Sequence, residues 1–222
     1  MPITIDIPGK IIAVGLNYVD HAKEARAPIP REPMIFAHWP NALIGPGDPI
    51  RLPDPGIDWR IDYEGELAVV IGREGKNVDA ADALDYVRGY CCFNDVSARG
   101  LYDPDSGGQL TLTKSLDTFD PVGEMTAAEA IADPQALRIR TILNGEVMQD
   151  GSTGDMIFSV AQLIAYLSRT VTLCPGDLLA TGTPAGVGVV RDPPVFLTDG
   201  DEVTVEIEGL VPLTNPVRAA KL

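Results

Sequence analysis

Three carboxylates, two histidines and one lysine carry most of the chemistry that this sequence offers. The stretch IDYEGELAVVIG, residues 61–72, places Glu64 and Glu66 two apart at the head of an apolar run. Successive side chains of a strand point to opposite faces, so the two glutamates share a face with Ala68 and Val70, while Leu67, Val69 and Ile71 line the other. Adjacent carboxylates at the mouth of a buried strand repel each other and lose hydration. A solvated strand edge accounts for such a pair, and so does a bound cation. Asp95, at the polar end of CCFNDVSAR, adds a third oxygen ligand. Oxygen donors with few histidines suit Mg²⁺, Mn²⁺ or Ca²⁺ rather than zinc. Cys91, Cys92 and Cys174 lack zinc-ligand spacing and read as packing residues.

His21 and Glu24, in NYVDHAKEA, are three apart on an expected helix, which makes their side chains neighbours. They form a candidate general-base dyad, with Glu24 orienting the imidazole; a surface pair is the plainer alternative. His38, in FAHWP, has no such partner and reads as structural. Lys114, in LTLTKSLDTFDP, could stabilise a developing oxyanion or face water. Arg99, four residues past Asp95, could pair with a ligand carboxylate or with substrate. In TGTPAGVG, Thr181, Gly182 and Thr183 offer close backbone approach and hydroxyl donors that suit a bound carboxylate. Its spacing is not that of a dinucleotide fingerprint, and neither a P-loop nor a G-x-S-x-G elbow occurs.

These residues need strands to hold them. Ile11–Val14 reads as a strand ending at Gly15, and YVDHAKEA as a helix stopped by the prolines of APIPREP. DAADALDYVRGY reads as a helix capped by Asp79, with Gly89 just past its end. LRIRTILNGEVMQDG is a hairpin on Asn144-Gly145. FSVAQLIAYLSR carries Val160, Leu163, Ile164 and Leu167 at helical spacing, with Ser159 and Gln162 as a capping box. DEVTVEIEGL alternates as a half-solvated strand. Strands outnumber helices and do not alternate with them, which points to mixed β architecture with peripheral helices, an α+β fold.

The whole chain, 1–222, reads as one domain that no linker divides. Its net charge of −15 gives no footprint for nucleic acid or an anionic membrane. An anionic substrate would need a local positive centre. Three cysteines without framework spacing, no leader and no long apolar run lead to the expectation of a reduced, cytoplasmic protein.

Taken in order, GLNYVDHAKE, EPMIFAHWPNALIGPGDPI, YEGELAVVIG, YVRGYCCFNDVSAR, TKSLDTFDPVG, LNGEVMQDGSTGDMIFSVAQLIAYLS and LCPGDLLATGTPAGVG resemble the fumarylacetoacetate hydrolase family over roughly residues 10–215. The likeness is to its short single-domain branch of acylpyruvate hydrolases, oxaloacetate decarboxylases and the isomerase-decarboxylase (2-hydroxyhepta-2,4-diene-1,7-dioate) of aromatic catabolism. It implies a single catalytic domain over 1–222, with a strand plus lid helix segment at 1–45 and a metal-binding β-roll at 46–222, built as a rolled mixed β-sandwich. It also implies a homodimer and a divalent metal, normally Mg²⁺, on Glu64, Glu66 and Asp95. It implies that His21 and Glu24 are a catalytic dyad on a mobile lid, and that Lys114 and Thr183 contact substrate. Tyr102 stands where some members carry a substrate-touching Gln, and the following DPDSGGQ reads as a specificity segment. The expected reaction is C–C hydrolysis of an acylpyruvate-type 2,4-diketo acid through a pyruvate enolate; oxaloacetate decarboxylation and dienedioate isomerisation share that enolate.

Overall fold

Alternating apolar residues sort this chain into two main sheets. The computed structural model describes residues 8–102, 105 and 107–219. Asp103, Pro104 and Ser106 of the expected specificity segment lie outside the described residues. The first strands are β1 (Ile11–Gly15), β2 (Met34–His38), β3 (Leu43–Ile44), β4 (Ile50–Arg51), β5 (Ile61–Asp62) and β6 (Gly65–Ile71). Then come β7 (Val87–Asn94), β8 (Ser97–Ala98), β9 (Asp120–Pro121), β10 (Thr126–Ala127), β11 (Arg138–Leu143) and β12 (Glu146–Ser152). β13 (Leu178–Ala180), β14 (Glu202–Ile207) and β15 (Leu213–Arg218) complete them. One sheet runs β10-β7-β6-β13-β1-β2 and the other β12-β11-β14-β15-β4, and beside them β3 pairs with β9 and β5 with β8. The β1–β13 and β15–β4 pairs are parallel within otherwise antiparallel ladders, so both sheets are mixed.

β6 separates two apolar clusters as its alternation requires. Leu67, Val69 and Ile71 face the second sheet, packing with Ile139, Val205 and Ile207 and with Leu163, Ile164 and Leu167 of helix α3 (Val160–Ser168) once α1 (Val19–Glu24) and α2 (Leu110–Lys114) are passed in chain order. Ala68 and Val70 pack on the opposite side with Ile11, Ala13, Cys91 and Phe93. The two adjacent cysteines, Cys91 and Cys92, are buried, as packing residues are. α3 carries its capping box: Ser159 Oγ accepts from Gln162 N, and Ser159 N donates to Gln162 Oε1. The hairpin turns on Asn144 (φ 51°) and Gly145 (φ 84°), both in the left-handed region that such a turn demands.

One local expectation changes. Residues 79–89 are not a helix: only a single 3₁₀ turn forms at Ala83–Tyr86, and Gly89 lies inside β7. Gly89 is paired with Val70 on one side and Ala127 on the other, and Met125 and the Thr126 carbonyl occupy the space a Cβ would need. Pairing on both edges overrides the helical preference of the Asp- and Ala-rich segment. The segment around Lys114 forms the short helix α2.

Gly65 lies where β6 meets the second sheet, and an added Cβ would meet Thr141 Oγ1, Gln149 Oε1 and Val205. Gly65→Ala is expected to cost about 1–3 kcal/mol of stability by overpacking, measured by urea denaturation. Thr141→Ala in the same chain should recover part of that loss.

Candidate metal centre and catalytic dyad

The antiparallel pairing of β6 and β7 brings the start of one strand against the end of the other. Gly65 is opposite Asn94, Asp95 N donates to Glu64 O (2.8 Å), and Glu64 N donates to Asn94 Oδ1 (3.0 Å). Glu64, Glu66 and Asp95 thereby converge, with ligand oxygens within 4.8 Å of one another and all three residues buried. The separation in sequence between Glu66 and Asp95 is thus the length of one hairpin-like turn of the sheet.

Two cations are fixed among these acids. Lys114 Nζ is 2.7 Å from Glu64 Oε2 and 2.9 Å from Asp95 Oδ2, and it is buried rather than facing water. Arg99 contacts Glu64 Oε1 (2.6 Å) and donates from Nε to Asp62 Oδ2 (2.9 Å). Burial opposes ionisation of Glu64, but Lys114 and Arg99 outweigh it and hold the carboxyl at about 2. Glu66 goes the other way. Burial and the charges of Asp95 and Glu64 push it well above the usual carboxylate range. Its Oε2 accepts from Gly182 N (2.8 Å), but among the described residues no Lys or Arg forms an ion pair with it. Lys114 itself is raised: burial works against its charge, and Asp95 and Glu64 prevail.

The donor set fits a hard dication on these observations. It is all oxygen, three carboxylates reach one point, and Glu66 lacks the positive neighbour that its two partners have. Glu64, Glu66 and Asp95 would be the protein ligands.

The dyad is assembled on α1. His21 Nδ1 is 2.7 Å from Glu24 Oε1, and Glu24 Oε2 accepts from Gly186 N (2.8 Å). Asp20 on the same helix accepts from Ala185 N (3.3 Å). Both ties reach the loop that follows β13, the same loop whose Gly182 holds Glu66. Asn17, just before the helix, donates to Thr181 O (2.8 Å) and Phe158 O (3.0 Å). The side chains of His21 and Glu24 are 14% and 20% exposed, and His21 is among the charges acting on Glu64. The pair is therefore partly buried.

Other expected contacts fall differently. Thr183 Oγ1 donates to Gly65 O (2.9 Å) and accepts from Gln149 Nε2 (2.8 Å), so its hydroxyl braces the backbone between the two glutamates. Tyr102 is 45% exposed, with its ring against Gly108 rather than in the carboxylate network. Asp62, absent from the expected set, accepts from Arg99 and from Gly188 N and Val189 N (2.8 and 3.0 Å). Its place two residues before Glu64 on the same extended face was the available signal. His38 does have a partner, contrary to expectation. Its Nδ1 is 2.7 Å from Asp120 Oδ1, and its Nε2 is 3.7 Å from Asp95 Oδ1. Asp120 is pushed up to about 6 by burial, partly offset by His38.

These shifts have opposite consequences with pH. Glu64, depressed, adds stability that is present above its ordinary 4.5 and lost as pH falls toward 2. Glu66, raised, costs stability as pH climbs from 4.5 and it ionises. Binding of Mn²⁺ or Mg²⁺ should therefore weaken as pH falls and should release about one proton, measured by calorimetry in two buffers of different ionisation enthalpy. Lys114→Met should destabilise the metal-free chain by about 3 kcal/mol, because it strands buried carboxylates. Added Mn²⁺ should restore part of that in thermal melts.

Residues 10–218 match the family model described as fumarylacetoacetate (FAA) hydrolase C-terminal. The oxaloacetate tautomerase fahd2, mitochondrial, of Xenopus laevis is 47% identical over 211 residues, covering 95% of this chain and 66% of that protein. The chain thus spans about two thirds of the length of the curated relatives it matches. The crystal structure of 2-hydroxyhepta-2,4-diene-1,7-dioate isomerase from Mycobacterium marinum superposes with TM-score 0.83 at 42% identity, covering 97% of this chain and 77% of the other. Fumarylacetoacetate hydrolase from Exiguobacterium antarcticum gives TM-score 0.87 at 40% identity, over 96% and 76%. A match of this extent, on a fold of the same kind, means that this chain belongs to the fumarylacetoacetate hydrolase family.

Proposed function

We propose that this chain is a divalent-metal-dependent enzyme that moves a proton at C3 of a short 2-oxo acid, with oxaloacetate as the first substrate to test. The observation that carries this reading is the His21–Glu24 pair, held at 2.7 Å and partly exposed, with His21 close enough for its charge to act on Glu64 of a cluster of three buried carboxylates. A relative at 47% identity named an oxaloacetate tautomerase supports it.

A divalent ion on Glu64, Glu66 and Asp95, Mg²⁺ or Mn²⁺, would act as a Lewis acid that polarises the keto group and acidifies the C3 proton. Glu24 keeps a proton on His21 Nδ1, which leaves Nε2 as the basic nitrogen. His21 Nε2 takes the proton from C3, the C–H pair becomes the C2=C3 bond and the C=O π pair moves to the carbonyl oxygen, which takes the proton back from the His21 imidazolium to become the enol hydroxyl. Gly186 N fixes Glu24, so the base does not swing away during the transfer. Lys114 and Arg99 hold the carboxylates in place. Thr183 acts on substrate through the backbone it braces, and Tyr102 borders the approach.

Hydrolysis of an acylpyruvate-type diketo acid is the second reading, favoured by the solvent access of the dyad, where His21 could activate water. A homodimer belongs to the proposal, since edge strand β2 and its neighbour expose Met34, Ile35 and Trp39; so does a cytoplasmic location. No helix among the described residues is long and apolar enough to cross a membrane.

Oxaloacetate enol–keto interconversion should be accelerated with Mg²⁺ and abolished by chelator, followed by enol absorbance. His21→Ala should lower kcat by about 10²–10⁴-fold, and Glu24→Gln by less. Pyruvate release from acetylpyruvate without tautomerase activity would replace the first reading with the second.

A further inference from the structure

His38 and Asp120 form a buried pair next to the carboxylate cluster, and the chemistry above makes no use of them. His38 closes β2 and Asp120 opens β9, 82 residues away. Their side chains are 0% exposed and meet at 2.7 Å through Nδ1 and Oδ1. The ring is further fixed by Phe36, stacked at 5.4 Å, and by Phe93, tilted at 6.1 Å. This orientation aims Nε2 at Asp95 Oδ1, 3.7 Å away.

Both of those facing atoms are buried without a hydrogen-bond partner. Burying one unsatisfied polar atom costs about 1–3 kcal/mol, so two complementary ones aimed at each other call for an explanation. The other oxygen of Asp95 is already held by Lys114. A shift of about 0.8 Å would bring Nε2 and Oδ1 to ordinary hydrogen-bond distance. A second cation between them is the competing arrangement. It is poorly supplied with ligands, because Nδ1 and one oxygen of Asp120 are spent on each other. That leaves three donor atoms at most, fewer than a structural ion takes.

We propose that Asp120 and His38 are positioning residues for Asp95. Asp120 sets the ring through Nδ1, and His38 Nε2–H caps Asp95 Oδ1 when the cluster takes its dication, so that Asp95 meets the ion in one fixed orientation. Lys114 steadies the carboxylate from one side and His38 from the other. Ligating carboxylates are commonly held by such outer partners, and losing one costs about 10–100-fold in metal affinity. The inference rests on the reading of Glu64, Glu66 and Asp95 as a metal centre.

The test is titration of the full chain with Mn²⁺ alone, followed by calorimetry, for wild type, His38→Leu and His38→Gln. Wild type should bind one Mn²⁺ per chain. His38→Leu should bind it about 10–100-fold more weakly, with circular dichroism and metal-free melting showing an intact fold. His38→Gln, whose amide can still donate to Oδ1, should recover most of the affinity. Unchanged affinity in a folded His38→Leu would overturn the relay while leaving the metal centre standing. Two Mn²⁺ per wild-type chain, reduced to one in His38→Leu, would overturn it in favour of the second-cation arrangement. No Mn²⁺ binding by wild type would overturn the metal centre and the relay together. Should His38→Leu fail to fold, His38→Gln is compared with His38→Asn, whose shorter amide falls short of Oδ1; equal affinities would overturn the proposal.

Discussion

Four buried carboxylates, Asp62, Glu64, Glu66 and Asp95, share two fixed cations, and the site is arranged around that shortfall. Arg99 spans Asp62 and Glu64, and Lys114 spans Glu64 and Asp95. Glu64 thereby has two ion-pair partners, whereas among the described residues Glu66 has none and is met only by the more distant charge of Lys114 and by Gly182 N. Buried carboxylates in low dielectric either find a countercharge or take up protons. The opposite displacement of the two glutamates expresses this directly. An added dication relieves the imbalance where it is greatest.

The sheet makes this arrangement affordable. The β6–β7 ladder brings Glu64 and Asp95 together through backbone hydrogen bonds that the side-chain charges do not control. Apolar packing on both faces of β6 supplies the stability that holds mutually repelling groups close. The loop after β13 then does two jobs: Gly182 N holds Glu66, and Ala185 N and Gly186 N hold helix α1 with its dyad. Gly182 and Gly186 both have positive φ (97° and 105°), and both lie where a Cβ would strike neighbouring groups.

Much of this was legible in the sequence because it depends on short-range rules. Strand alternation put Glu64 and Glu66 on one face, helical spacing joined His21 to Glu24, and Asn144-Gly145 and the Ser159–Gln162 box marked their turn and cap. The missed features depend on long-range contact. His38 meets Asp120 across 82 residues, and no periodicity encodes that. Lys114 is a candidate in the sequence, but its burial is long-range too: two carboxylates from other segments receive it. Residues 79–89 carry good helix formers, but the ladder partners of Gly89 decide its conformation.

The loop from Thr181 to Gly188 has a consequence for redesign. Because it holds Glu66 of the carboxylate cluster, the helix bearing His21 and Glu24 and, through Gly188 N, Asp62, these groups share one support. Changes in this loop would displace the cluster and the His21–Glu24 pair together. Attempts to graft new substrate preferences have more freedom around Tyr102, whose ring touches no carboxylate of the cluster and whose replacement leaves that shared scaffold intact.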